Sequence, residues 1–131
     1  MTAVVYLDSS AGLKLLVKEP ESPALRAWLN DRGGWTSSAL FRTELVRAAR
    51  RSHSARVLAA REMIARVAIV DVDTAILNEA ADLDPRTLRS LDAIHLATAL
   101  RVADELEAIV TYDRRMIEGA RALGLPVASP A

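Results

Sequence analysis

The chain has 131 residues, 51% of them apolar and 26% charged, with 17 basic residues against 17 acidic and no cysteine. That length suits one domain, residues 1–131, with a real hydrophobic core, and the mixture is that of a soluble globular protein rather than a disordered or membrane-embedded one. Disulfides, thiolate nucleophiles and cysteine-based zinc sites are excluded, and a formal charge of zero offers no broad field to a polyanion, so any nucleic-acid contact has to be local.

In chain order, Ala3 to Leu7 reads as a first strand and Ser9 to Val17 as a short helix stopped by Lys18-Glu19-Pro20. Ser22 and Pro23 form an N-cap and first-turn pair, opening a helix through Leu25, Trp28 and Leu29 that ends before Gly33-Gly34. Trp35 to Ser37 is a very short second strand. Two helices follow, Ala39 to about Arg51 and Ala55 to about Arg66, broken around Ser52-His53-Ser54. Ala68 to Val72 is a third strand, and Asp73 caps a helix running to Leu83 that Asp84-Pro85 ends. Leu91 to Ala103 is a strong helix, followed by strand Ala108 to Thr111, a helix from Arg114 to Leu123 and a last short strand near Val127. Short β-branched runs alternating with longer helical periodicities mark an α/β domain with a mainly parallel sheet. The opening MTAVVYLDSS has no basic n-region, and no stretch approaches the roughly 18 apolar residues of a membrane span, so a cytoplasmic protein without a membrane partner is expected.

Four acids stand where this pattern makes them costly. Asp8 follows the run VVYL and Asp113 follows AIVTY, which puts both at the carboxyl edge of the sheet, where parallel α/β folds bind ligands. Glu44 shares a helical stripe with Leu40, Phe41, Ala48 and Ala49, and its carboxylate points inward; Asp92 begins the stripe continued by Leu96, Ala99 and Ala103. Each has a local alternative: Asp113 caps its helix, Asp92 complements a helix dipole, and Asp8 is a turn residue before Ser9 and Ser10. Glu44 is hardest to dismiss, because an acid on an apolar face without a partner is penalised, and no lysine or histidine is positioned nearby in sequence to serve as the positive partner of the four. Clustered carboxylates repel unless a cation joins them, and oxygen-only ligation selects a hard ion, Mg²⁺ or Mn²⁺. Such a site suits hydrolysis of a phosphodiester by metal-activated water. The hydroxyls of Ser9 and Thr111 stand next to the acids, with capping and strand-end roles as their plainer alternatives.

These marks, VVYLDSSAGLKL, the Glu in FRTELVRA, SLDAIHLATAL and IVTYDRRM, together resemble the PIN-domain nucleases, specifically the VapC-type toxins of bacterial toxin–antitoxin pairs. The resemblance covers nearly the whole chain. It implies a three-layer α/β/α sandwich with a parallel five-stranded sheet, a homodimer, and a metal-dependent endoribonuclease whose acidic metal site is Asp8, Glu44, Asp92 and Asp113, with Ser9 and Thr111 at the small hydroxyl positions. It also implies a cognate VapB-type antitoxin whose C-terminal segment wraps the toxin and puts an arginine into the acidic pocket. Operator DNA is then bound chiefly through that antitoxin. Some PIN nucleases carry a further acid just beyond the fourth; here Arg114, Arg115 and Met116 follow Asp113, which counts against a second tightly held metal and leaves open one metal completed by RNA phosphates.

His95, one turn beyond Asp92, reads as structural, and His53 as solvated in a helix break. Arg114 and Arg115 stand where they could meet phosphate or a dimer partner, and Arg47, Arg50 and Arg51 form either an RNA track or a solvated face. Trp28 and Trp35 read as core or antitoxin-facing anchors rather than stacking platforms. A dehalogenase-like phosphatase would need a second acid two residues after Asp8, where Ser10 stands, and a receiver domain would need an acidic pair and a late lysine that are missing. A catalytically silent PIN-like binding module is the remaining alternative, and the presence of all four acids argues against it.

Overall fold

Successive residues of a strand face opposite sides of its sheet, and in the first strand this separates Val5 and Leu7, which enter one core, from Tyr6, which enters another. The computed structural model, which describes residues 3–131, is a three-layer α/β/α sandwich. Strands β1 (Val4–Leu7), β2 (Trp35–Ser38), β3 (Ala68–Val70), β4 (Leu106–Val110) and β5 (Val127–Ala128) are all parallel, in the order β3-β2-β1-β4-β5. The helices are α1 (Ser9–Leu16), α2 (Ser22–Asn30), α3 (Leu40–Ser52), α4 (Val57–Ala65), α5 (Thr74–Ala81), α6 (Ser90–Arg101) and α7 (Arg114–Ala122).

Ala11, Leu25, Leu29, Phe41, Leu45, Ala60 and Met63 cover the Val5–Leu7 face from α1 to α4. On the other face Leu96, Ala99, Met116 and Ala120 of α6 and α7 cover Tyr6 and Ile109, and α5 packs on α6 through Ile76, Ala80, Ala93 and Ala97. Each fully buried large side chain is worth about 1.5–3 kcal/mol, which outweighs the weak intrinsic preferences of elements this short. Among the described residues, no helix is long and apolar enough to cross a membrane.

Two details bring α3 to the end of β1. Gly12 of α1 faces α3 so closely that an added Cβ would lie 2.8 Å from Phe41 Cε1 and 3.0 Å from Leu45 Cδ1. The Ser37 hydroxyl donates to the Leu7 carbonyl at 2.5 Å, tying β2 to the last residue of β1.

Most expected elements form within two residues of their expected bounds, with differences that have local causes. Ser22 is not a cap: Glu21 takes that position, while the buried Ser22 hydroxyl lies 2.7 Å from the Lys14 carbonyl and 2.9 Å from that of Val17 and accepts the Glu19 N–H, stitching the α1–α2 loop. The helix expected from Ala55 starts with a tight 3₁₀ turn, Ser54–Arg56, before α4. The third strand ends at Val70 rather than Val72, because its pairing with β2 stops at Ser38. Asp73 caps α5 as expected, accepting the Ile76 N–H at 2.8 Å.

Candidate metal centre at the carboxyl edge of the sheet

The strand order reverses at β1, whose neighbours are β2 and β4, and the crevice beyond such a point is where open parallel sheets bind ligands. Leu7 pairs with Val110, so the residues that follow, Asp8 and Thr111, emerge side by side. Asp8 is only 4% exposed. Its Oδ1 accepts the Ala11 N–H at 3.0 Å, which makes it the N-cap of α1, and the Ser10 hydroxyl at 2.6 Å; its Oδ2 accepts the Thr111 hydroxyl. Both hydroxyls also accept. Ser10 Oγ takes the Tyr112 N–H at 3.0 Å and Thr111 Oγ1 takes the Asp113 N–H at 3.1 Å. Burial pushes the Asp8 carboxyl above the usual aspartate range, opposed by these hydrogen bonds.

Glu44 sits at the margin of the buried stripe of α3, which is Phe41, Leu45 and Ala49; Leu40 and Ala48 are half-buried. Its side chain keeps 24% of its surface exposed and, against expectation, has a protein partner. His95 Nε2 lies 2.5 Å from Glu44 Oε1, while His95 Nδ1 lies 2.7 Å from the Tyr6 hydroxyl. That histidine stands 51 positions away in sequence and reaches Glu44 from α6. Burial holds the Tyr6 phenol well above its ordinary pKa, so it keeps its proton. With Tyr6 donating to Nδ1, the neutral imidazole carries its hydrogen on Nε2 and donates to Glu44.

Asp92 lies in the first turn of α6, half-buried, and no hydrogen bond among the described residues reaches its carboxylate. Burial raises its pKa, and the negative charge of Asp113 raises it further; His95 and Arg89 oppose this and Glu44 adds to it. Asp113 is exposed and caps α7, its Oδ1 accepting the Arg115 N–H at 2.8 Å and the Met116 N–H at 3.3 Å. The local alternatives for Asp8 and Asp113 are therefore real, and they coexist with a shared location. Asp92 feels the negative charges of both Asp113 and Glu44, and Asp8 emerges beside Thr111 at the same carboxyl edge of the sheet.

The donor set fits a hard divalent ion. Asp92 has both oxygens free of protein hydrogen bonds, Asp113 Oδ2 and Glu44 Oε2 are free as well, and Asp8 Oδ2 has a lone pair to spare beyond its bond to Thr111. The repulsion raising the Asp92 pKa is what a cation would relieve. Among the described residues no three His, Cys, Asp or Glu side chains are placed closely enough together to hold a metal ion as they stand.

The remaining expected residues divide between this sheet edge and the rest of the molecule. Ser9 is the first residue of α1, half-buried, but the hydroxyl that reaches Asp8 is that of Ser10, which was not among the expected site residues. Thr111 is buried between Asp8 and Asp113. Arg114 and Arg115 are exposed beside Asp113, and Arg47, Arg50 and Arg51 are exposed along α3. His53 is exposed at the helix break. Trp28 and Trp35 pack half-buried against the larger core at the opposite edge, Arg32 stacking 3.8 Å from the Trp28 ring centroid.

A family model described as "PIN domain" matches residues 5–122, and the chain belongs to that family, in its VapC branch. It is 46% identical over 129 residues to the ribonuclease VapC46 of Mycobacterium tuberculosis, covering 98% of this chain and 99% of the relative. It is 44% identical to VapC35 of the same species, with 97% of each covered. Among solved structures, VapC20 of M. tuberculosis, a toxin that cleaves the sarcin–ricin loop, superposes with a TM-score of 0.76 at 16% identity, covering 96% of this chain and 99% of that one. VapBC2 of Rickettsia felis, bound to a promoter DNA fragment, does so with 0.72 at 14% identity, covering 98% and 99%. The structural matches establish the sandwich fold.

Proposed function

We propose that this protein is a Mg²⁺- or Mn²⁺-dependent endoribonuclease, the toxin of a type II toxin–antitoxin pair acting in the cytoplasm. The observation that carries the reading is that Asp92 feels the charges of Asp113 and Glu44 near the sheet edge from which Asp8 emerges, in a chain 46% identical to a ribonuclease over nearly its full length. Asp92, Asp113 and Asp8 would hold the ion, with Glu44 completing the site directly or through water. Bound there, the ion supplies activation of a water and neutralisation of phosphate charge. The chain's own residues then do the following. Ser10 and Thr111 aim the Asp8 carboxyl and oppose the upward pull of burial on its pKa, and Thr111 links it to the backbone of Asp113. Arg114 and Arg115, exposed on the rim, meet the RNA phosphates, and the α3 arginines extend that contact.

A VapB-type antitoxin fits the same chemistry, since an arginine inserted among the carboxylates competes with metal. The active form is a homodimer of one-domain chains, and operator binding belongs to the toxin–antitoxin complex. The test is digestion of total cellular RNA by purified protein, with Mg²⁺ or Mn²⁺ against EDTA, comparing wild type with Asp92→Asn. Discrete metal-dependent fragments that vanish in the variant support the reading; folded, antitoxin-free protein that leaves RNA intact overturns it.

A further inference from the structure

His95 is 2% exposed and is the one imidazole packed into the sandwich core, His53 being exposed. It belongs to α6, one turn beyond Asp92, yet its two ring nitrogens reach outward to two other elements: Nδ1 to the Tyr6 hydroxyl of β1 at 2.7 Å and Nε2 to Glu44 Oε1 of α3 at 2.5 Å. The Tyr6 and His95 rings meet edge to face, with planes 84° apart and centroids 5.9 Å apart, which sets the orientation of the imidazole as well as its position. Glu44 needs such a hold. Its helix leaves it at the stripe's margin, and His95 is its only side-chain partner among the described residues.

Resting on the proposed metal site, we propose that His95 is a positioning residue that holds the Glu44 carboxylate toward Asp8 and Asp92, and that Tyr6 in turn orients the His95 imidazole. A tyrosine O–H donates, so Nδ1 accepts and Nε2–H is directed at Glu44 Oε1, leaving Oε2 for the crevice. A carboxylate oriented by a neighbouring donor loses less freedom when it engages an ion. Partners of this kind typically contribute about 10–100-fold in metal affinity or activity. His95 touches neither substrate nor ion. It acts through Glu44 alone.

Calorimetric titration of Mn²⁺ into EDTA-stripped, full-length protein separates this role from a purely structural one. Wild type, His95→Leu, His95→Gln, Tyr6→Phe, Glu44→Gln and the Glu44→Gln/His95→Gln pair are compared, each with its thermal unfolding curve. His95→Leu should weaken Mn²⁺ binding by about tenfold or more, His95→Gln less, because its amide retains a donor, and Tyr6→Phe by roughly threefold, about the worth of one hydrogen bond. In the Glu44→Gln background, His95→Gln should change the Mn²⁺ dissociation constant by less than about twofold, since the residue it positions no longer carries charge. Equal losses with and without Glu44, or wild-type affinity in folded His95→Gln and Tyr6→Phe, would overturn the inference while leaving the metal site standing. A wild-type protein that binds no Mn²⁺ would overturn both.

Discussion

The four carboxylates form two unlike pairs. The inner pair, Asp8 and Glu44, is held by other side chains: Asp8 by its near neighbour Ser10 and the distant Thr111, Glu44 by the distant His95. The rim pair, Asp92 and Asp113, is placed by helix starts alone, Asp113 as the cap of α7 and Asp92 in the first turn of α6 without a hydrogen-bonded partner. The difference separates two ways of building a charged site. The inner acids are oriented in advance, and part of their burial cost is offset by donors. The rim acids stay available, and Asp92 keeps the electrostatic strain of facing Asp113. A hard ion that exchanges its waters for a substrate phosphate needs both kinds, a rigid wall to locate it and a free edge to bind it.

Substitutions can break that contrast in a graded order. Asp92→Asn should lower kcat for RNA cleavage by roughly 10²–10³-fold, the scale expected for removing one electrostatic contact to the reacting centre. It should leave the metal-free melting temperature unchanged or higher, because it deletes a half-buried charge that repels Asp113. A loss of stability alongside the loss of activity would mean Asp92 has a partner after all. Ser10→Ala is the converse. It removes a donor from buried Asp8 and leaves the Tyr112 N–H without its acceptor, so chemical denaturation should report a loss of about 1–3 kcal/mol. Asp113 divides cleanly between its two duties: Asp113→Ala should cost about 1 kcal/mol of stability, whereas Asp113→Asn, which still caps, should cost little and yet cut cleavage to a similar extent.

The pH dependence of the metal-free protein sharpens the same contrast. The folded-state pKa values of Asp8 and Asp92 are both raised above the ordinary aspartate value of 3.8. A raised pKa means the folded form binds the proton more tightly than the unfolded one. The stability these groups contribute is then fully present below pH 3.8 and is lost as pH rises through their folded values. In EDTA the contribution of these two acids should therefore fall as pH rises above 3.8 through their raised folded values, and Asp92→Asn should flatten that part of the melting-temperature profile. Adding Mn²⁺ at neutral pH should restore stability to wild type and much less to the variant.

What the sequence made legible follows the same division. Local rules place Asp113 before α7, Asp73 before α5 and Asp8 after β1, because capping and strand ends are read within a few residues. The parallel sheet and its edge were equally readable from alternating runs. The links that orient the inner pair were not. Ser10 meets Tyr112 across 102 positions and His95 meets Glu44 across 51, distances over which periodicity carries no information. Ser9 and Ser10 are neighbours of one type, and only the direction of the first turn of α1 decides which hydroxyl reaches Asp8. His95 carried one faint signal, its place among Ala93, Leu96, Ala97 and Ala99 on a helix otherwise apolar on that side, where a buried imidazole requires partners for both nitrogens.

The most direct test of a single shared metal site is a Mn²⁺ titration of EDTA-stripped protein followed by calorimetry, with wild type set against Asp8→Asn, Asp92→Asn and the double variant. One shared site predicts saturable binding in wild type, weakening in each single variant, and a double variant that falls well short of the summed losses in binding free energy because the site is already broken. Undiminished binding in folded Asp8→Asn and Asp92→Asn protein would contradict it, showing that these carboxylates are helix caps and dipole partners and nothing more.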